Sequence, residues 1–236
     1  MNFEIHNDEL SALRSLTSYL LTLVSSKRTD YFNLALSGGN TAKQLFALWL
    51  SDYKNKIPWY RIRFFWNEEC CVSPSDNTSN YGEAYRLFLK QLCLPGENIL
   101  RIHGEDEPEK EAKRYSTMVT KCLPSVNGLP HFDGIILGVG TDGHVASIFP
   151  ASRNLLEERT PFVVTQHPRT GQKRITLTGP VILNDTPLLI PIIGPSKALI
   201  LDDLKKNNPK VAPSPAAYIV QHARRVDVIS YVETPE

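Results

Sequence analysis

The 236-residue chain has no surplus of either charge: its formal net charge is +1, with 22% of residues charged. No overall basic excess is therefore available for nucleic acid, and there is no acidic tail. Cysteine is scarce. The four residues, Cys70, Cys71, Cys93 and Cys122, include no pair with the C-x-x-C spacing of a zinc or redox site. Cys70 and Cys71 end the apolar run RIRFFWNEECCV and read as reduced structural residues. A long apolar run is also missing. The N-terminal MNFEIHNDELSALRSLTSYLLTLVSSKR puts acidic residues first and is broken by Ser15, Thr17, Ser18 and Thr22. A signal peptide starts basic, and a membrane span needs roughly 20 apolar residues. A cytoplasmic protein with no membrane partner is expected. There is no internal repeat or low-complexity segment, so residues 1–236 are expected to form a single domain; nothing in the sequence sets an oligomeric state.

What is present is an alternation of two periodicities. Runs rich in β-branched and aromatic residues occur at 31–36, 61–66, 132–138, 161–165, 174–178, 187–194 and 226–231. Between them, 42–50, 80–92, 107–122 and 196–204 carry helical apolar spacing. Residues 8–25 open the chain with a helix whose Leu10, Leu13, Leu16, Leu20 and Leu23 form one stripe. The pattern predicts an α/β fold: a mostly parallel, open sheet with helices on both faces. Surface turns are expected at 167–173 and 205–215. In such a sheet, ligands lie beyond the carboxyl ends of the strands, so residues just after strands matter most.

Three such loops carry chemistry. After YFNLAL comes Ser37-Gly38-Gly39-Asn40-Thr41 and then a helix. The glycines let backbone N–H groups turn toward a ligand, two hydroxyls flank them, and the helix start adds a positive dipole, which suits a phosphate. The alternative is a plain turn capped by Asn40 or Thr41. After RIRFFW, Asn67-Glu68-Glu69 places adjacent carboxylates at a strand end, either for acid–base or metal chemistry or as surface charge. After FDGIIL, the spacing Gly138-x-Gly140-x-x-Gly143 matches a dinucleotide fingerprint. That fingerprint requires a long helix directly afterwards and an acid at the tip of the next strand. Here Pro150 stops any helix after a turn or two, and Glu157 and Glu158 precede the next strand.

The same segment offers His144 beside Asp142. On the first turn of a short helix, that histidine would face the sheet's carboxyl edge as a general base. Arg174, at the start of RITLT, and Lys197, after Gly194-Pro195-Ser196, add cations at the same edge, where a phosphate on the Ser37 loop would meet them.

Taken in order, LALSGGNTAKQLF, FFWNEECCV with SDNTSNYG, FDGIILGVGTDGHVASIFP, RITLTGPVILNDT and IIGPSKALIL resemble the 6-phosphogluconolactonases, within the group that includes the glucosamine-6-phosphate deaminases. The likeness implies a Rossmann-like sheet of NagB/RpiA type and hydrolysis of 6-phospho-D-glucono-1,5-lactone to 6-phosphogluconate in the oxidative pentose phosphate pathway. It implies a small sugar-phosphate substrate and neither metal nor nucleotide cofactor. The continuation HVASIFP resembles the lactonase branch more than the deaminases. On this reading His144 activates water, with Asp142 and Asn67 beside it and backbone N–H groups around Gly140 to Gly143 meeting the oxyanion. Ser37, Gly38, Gly39, Thr41, Glu68, Glu69, Arg174 and Lys197 are then expected to hold the substrate. Family members usually read Asp-Glu-Arg where this chain reads Asn67-Glu68-Glu69. A carboxylate at Glu69 in place of a cation removes a charge-assisted contact and brings like charge toward an anionic ligand, so either Glu69 swings to solvent and leaves an active lactonase with a raised KM, which is the expectation, or the site has changed ligand or lost catalysis. The alternatives are a deaminase or isomerase acting on a sugar phosphate, and a sugar-phosphate-binding protein without turnover.

Overall fold

The computed structural model describes residues 1–28, 31–205 and 213–232. A six-stranded parallel sheet forms its centre, in the order β1 (Asn2–Ile5), β11 (Val226–Tyr231), β10 (Leu188–Ile193), β7 (Gly134–Ile136), β2 (Phe32–Leu36), β3 (Ile62–Trp66). Every residue of β2 and β10 is buried. A strand is buried on both faces only where both are covered, which explains why FNLAL and LLIPII are continuous apolar runs. The covering helices are α1 (Glu9–Ser26), α2 (Asn40–Asp52), α3 (Asn80–Leu87), α4 (Pro108–Cys122), the one-turn α5 (Gly179–Ile182), α6 (Ala198–Lys205) and α7 (Pro215–His222). Asp8 caps α1 by accepting from the Ser11 amide, and the stripe it starts buries Leu13, Leu16 and Leu20. Leu10 of the same expected stripe is exposed.

Two of the predicted strands do not join the parallel sheet. β8 (Phe162–Gln166) and β9 (Lys173–Leu177) pair antiparallel with each other, and β9 pairs with the short β4 (Glu68–Cys70). The loop between β8 and β9 is too short for a parallel crossover, which takes about a dozen residues or more, but suits a hairpin, closed here by the His167 amide on the Gln172 carbonyl. A two-stranded ribbon, β5 (Ser125–Val126) with β6 (Leu129–Pro130), leads into β7. β1 has no strong apolar pattern because it is an edge strand with both end residues exposed. Of the turn expected at 205–215, residues 206–212 lie outside the described residues; its end starts α7, with Ser214 as cap and Pro215 at the first helical position.

Candidate active site

β2 ends at Leu36, and the chain turns through Ser37-Gly38-Gly39 into α2. Gly39, at φ +91°, is the cap residue and offers no side-chain cap, so neither Asn40 nor Thr41 serves as one. The first amides of a 13-residue helix are thereby left facing outward with the positive end of its dipole. Gly38 is required by close approach: a Cβ there would lie 1.9 Å from Asn80 Oδ1. Ser37 is buried, and its Oγ accepts from the Gly138 amide (2.8 Å) and from Asn67 Nδ2 (2.9 Å). It ties together the ends of three adjacent strands, β7, β2 and β3.

The segment after β7 is not a helix. Val139 bridges Val145, which in turn bridges Ile148. The Gly140 amide donates to the His144 carbonyl (2.9 Å) and the Gly143 amide to the Gly140 carbonyl (3.0 Å). The expected short helix is thus replaced by a closed turn, with Gly143 at φ +78° and Ala146 at φ +48° where no α-helix can run. The first helical turn begins only at Pro150. Both glycine amides are engaged inside the turn, which removes Gly140 and Gly143 as oxyanion donors; Gly140 still lines the cleft through its backbone, whereas Gly143 does not.

That turn presents His144. Its Nδ1 lies 2.5 Å from Asp142 Oδ1, and the ring packs against Phe149 at 4.9 Å between centroids. A Cβ on Gly140 would lie 2.1 Å from Nδ1, so glycine is what lets the ring settle there. With the ionised Asp142 as acceptor, Nδ1 is the donor, so in the neutral ring the free lone pair is on Nε2. Burial pushes the Asp142 carboxyl upward, but attraction to the protonated form of His144 and the hydrogen bonds from that residue outweigh this and hold it below the usual carboxylate range. Among the described residues Nε2 has no hydrogen-bond partner, and His144 lines the cleft with a quarter of its side chain exposed.

At Asn67 the chain leaves the parallel sheet. The residue has no exposed surface and does not touch the cleft or His144; Nδ2 donates to Ser37 Oγ and to the Ile136 carbonyl (2.8 Å). Its place among the catalytic residues gives way to a structural one, and the Ile136 carbonyl is why an amide stands here: a carboxylate would have nothing to donate to it. Beyond it the pleat of β4 sends Glu68 and Cys70 to the cleft and Glu69 the other way. Glu68 Oε2 accepts from Ser147 Oγ and from Arg174 Nη1 (3.1 Å).

Glu69 is 2% exposed and goes neither to solvent, as expected from the sequence, nor to the cleft, where a substrate-binding residue would stand. Its carboxylate turns to the start of α3 and accepts from the Cys70 amide (2.9 Å), the Asn80 amide (2.7 Å), the Tyr81 amide (2.8 Å) and Ser79 Oγ (3.2 Å). Desolvation by burial raises its pKa to about 7 against the lowering effect of those amides. Cys70, on the cleft side, is pushed to about 12 chiefly by burial, so its thiol stays protonated.

The cleft between these loops has a volume of about 560 Å³. Strand order sets the loops side by side: the Lys197 loop beyond β10, the His144 turn beyond β7, Ser37–Thr41 beyond β2 and Glu68 beyond β3. Ser37, Gly38, Gly39, Thr41, Glu68, Gly140, His144, Arg174 and Lys197 all line it, whereas the buried Asn67, Glu69 and Gly143 and the exposed Asp142 do not. Lys197 Nζ donates to the Val139 carbonyl; burial lowers its pKa while Asp142 works the other way. Sequence reasoning overlooked Lys43, which reaches the cleft from the end of the first turn of α2 and pairs with Glu83 (2.9 Å), and Asn80, which presses on Gly38 and donates to the Glu68 carbonyl (3.1 Å). Lys43 follows directly from helical spacing after the glycine loop. Asn80 stands in SDNTSNYG, a segment that contributes to the resemblance, but it reaches the cleft from the start of α3, away from the strand ends where site residues are expected.

A parallel open sheet whose carboxyl edge carries a free imidazole and three cations around a glycine-rich helix start is a sugar-phosphate enzyme architecture. The chain belongs to the family described as glucosamine-6-phosphate isomerases/6-phosphogluconolactonase, whose model matches residues 7–229. It is 36% identical over 212 residues to a 6-phosphogluconolactonase of Treponema pallidum, covering 89% of this chain and 85% of that one. With a 6-phosphogluconolactonase of Haemophilus influenzae the identity is 41% over 198 residues, covering 84% and 83%. The crystal structure of a devB protein superposes with a TM-score of 0.89 at 36% identity, covering 98% of this chain and 95% of that one.

Proposed function

We propose that this chain hydrolyses 6-phospho-D-glucono-1,5-lactone to 6-phosphogluconate, acting as one domain in the cytoplasm. The observation that carries the reading is the orientation of His144: Nδ1 is held by Asp142, and Nε2 opens into a cleft that also contains the α2 start. A lactone is an activated ester, so the enzyme needs a base for water, positive charge near the oxyanion and a grip on the distant phosphate.

In the proposed mechanism the phosphate sits on the Gly39–Thr41 amides and is flanked by Lys43 and Arg174. This fixes the ester carbon beside His144. Nε2 takes a proton from water as the water oxygen bonds to the carbonyl carbon. Negative charge then develops on the carbonyl oxygen, and with the Gly140 and Gly143 amides engaged elsewhere, cationic side chains of the cleft meet it, Lys197 being the one anchored at the root of the His144 turn. The tetrahedral carbon expels the ring oxygen, which takes the proton back from Nε2 and leaves an open-chain acid. Asp142 keeps the tautomer and steadies the imidazolium between the two transfers.

Incubating the protein with the lactone and following acid release above the spontaneous rate tests this, with 6-phosphogluconate identified as product. Ammonia release from glucosamine 6-phosphate, or binding of 6-phosphogluconate without turnover of the lactone, would replace the reading.

A further inference from the structure

Glu69 is a buried acid that the proposed chemistry does not use, yet it has more hydrogen-bond partners than any other carboxylate around the cleft. Its two oxygens receive four donors, and three of these belong to consecutive residues, Ser79 to Tyr81, at the entry to α3. Ser79 completes the arrangement: its Oγ donates to Glu69 and accepts from the Gly82 amide (2.9 Å). The first three amides of α3 are therefore satisfied by two side chains, one of them contributed by a different element.

What this entry holds in place is part of the cleft wall. Asn77, Thr78 and Asn80 line the cleft, and Asn80 bears directly on Gly38 of the Ser37–Thr41 loop. The Asn80 amide makes the shortest of the Glu69 contacts, so the carboxylate fixes the backbone of the residue that presses on the expected phosphate loop. The chain between β4 and α3 has no regular secondary structure of its own to do this.

We infer that Glu69 is a positioning residue: through the Asn80 and Tyr81 amides it sets the 77–80 wall against the Ser37–Thr41 loop, and so controls affinity for the phosphate end of the substrate. The inference rests on the lactonase reading for its substrate, though not for the link between Glu69 and the wall. A positioning role of this kind acts on binding more than on the chemical step, because His144 stands on a separate turn anchored by Asp142, Val139 and Val145.

The test compares wild type with Glu69→Ala, Glu69→Gln and Asn80→Ala at pH 8. Lactone kinetics are read alongside amide hydrogen exchange at Asn80 and Tyr81 and alongside Kd for inorganic phosphate. Glu69→Ala should raise KM and the phosphate Kd about tenfold or more, the scale of one lost hydrogen bond to a charged group, with kcat within about threefold. Exchange at the two amides should accelerate while the β2 amides stay protected. Glu69→Gln keeps one acceptor oxygen and should fall between Ala and wild type. The effects of Glu69→Ala and Asn80→Ala should be markedly less than additive. Unchanged KM and phosphate Kd in a folded Glu69→Ala protein would overturn the inference, as would a fall in kcat alone. If Glu69→Ala does not fold, Glu69→Gln with wild-type KM and wild-type exchange would overturn it equally. Absence of turnover in wild type would refute the lactonase reading, and the phosphate Kd and exchange rates would still decide the role of Glu69.

Discussion

Asp142 Oδ1 lies 2.5 Å from His144 Nδ1, and the two residues are only two positions apart on one closed turn. The pair is therefore local: its geometry depends on the turn more than on the packing of distant elements. Replacing Asp142 by Asn frees the ring to adopt the other tautomer and removes the charge that steadies the imidazolium. We expect kcat for lactone hydrolysis to fall roughly 10- to 100-fold with KM little changed, because a positioned general base is worth roughly 10² to 10⁴ in all. The site is part-exposed, so the denaturation midpoint should hardly move.

Gly140→Ala tests the same turn from beneath. A methyl group at that Cβ position would overlap the ring at Nδ1 and sit 2.7 Å from Asp142 Oδ1. The ring must then rotate out of its place, and activity should drop at least about 100-fold while circular dichroism stays that of the wild type.

Asn67→Asp should act on stability. The amide donates to Ile136 O and Ser37 Oγ in a site with no exposed surface. A carboxylate would leave that carbonyl without a donor and face it with negative charge or an enforced proton. A loss of about 2 to 4 kcal/mol, read from the urea midpoint, is expected.

A pH dependence follows from Glu69. Burial raises its folded pKa to about 7, above the ordinary 4.5. Below about pH 4.5 both folded and unfolded chains hold the proton, and the contribution to stability is fully present. As pH rises toward 7 the unfolded chain ionises first, and the contribution is lost through the folded pKa. The wild type should lose up to roughly 3 kcal/mol relative to Glu69→Gln between pH 4.5 and 8. Parallel stability curves for the two proteins, measured by urea denaturation across that range, would contradict it.

Much of this was legible in the sequence because strand and helix periods alternate so clearly and because the loops after β2, β7 and β10 carry their chemistry within a few residues of a strand end. The proximity of Asp142 and His144 could be read for the same reason. Three things were not legible. The pleat parity of Glu68 and Glu69 depends on where the chain leaves β3, and Asn67 sets that break through side-chain bonds to two other strands. The hairpin of β8 and β9 looks like two strands of the main sheet until loop length is weighed. Asn80 and Ser147 lie within SDNTSNYG and HVASIFP, but neither residue type announces its contact, Asn80 with the Glu68 carbonyl and Ser147 with the Glu68 carboxylate.

The most direct measurement is the rate of 6-phosphogluconolactone loss, corrected for spontaneous hydrolysis, for wild type and His144→Ala side by side. The account predicts enzyme-dependent turnover in the wild type and a loss of at least about 10²-fold in the variant, with the fold intact. Equal rates in the two proteins would contradict the role given to Nε2, and no turnover above background in either would contradict the lactonase reading itself.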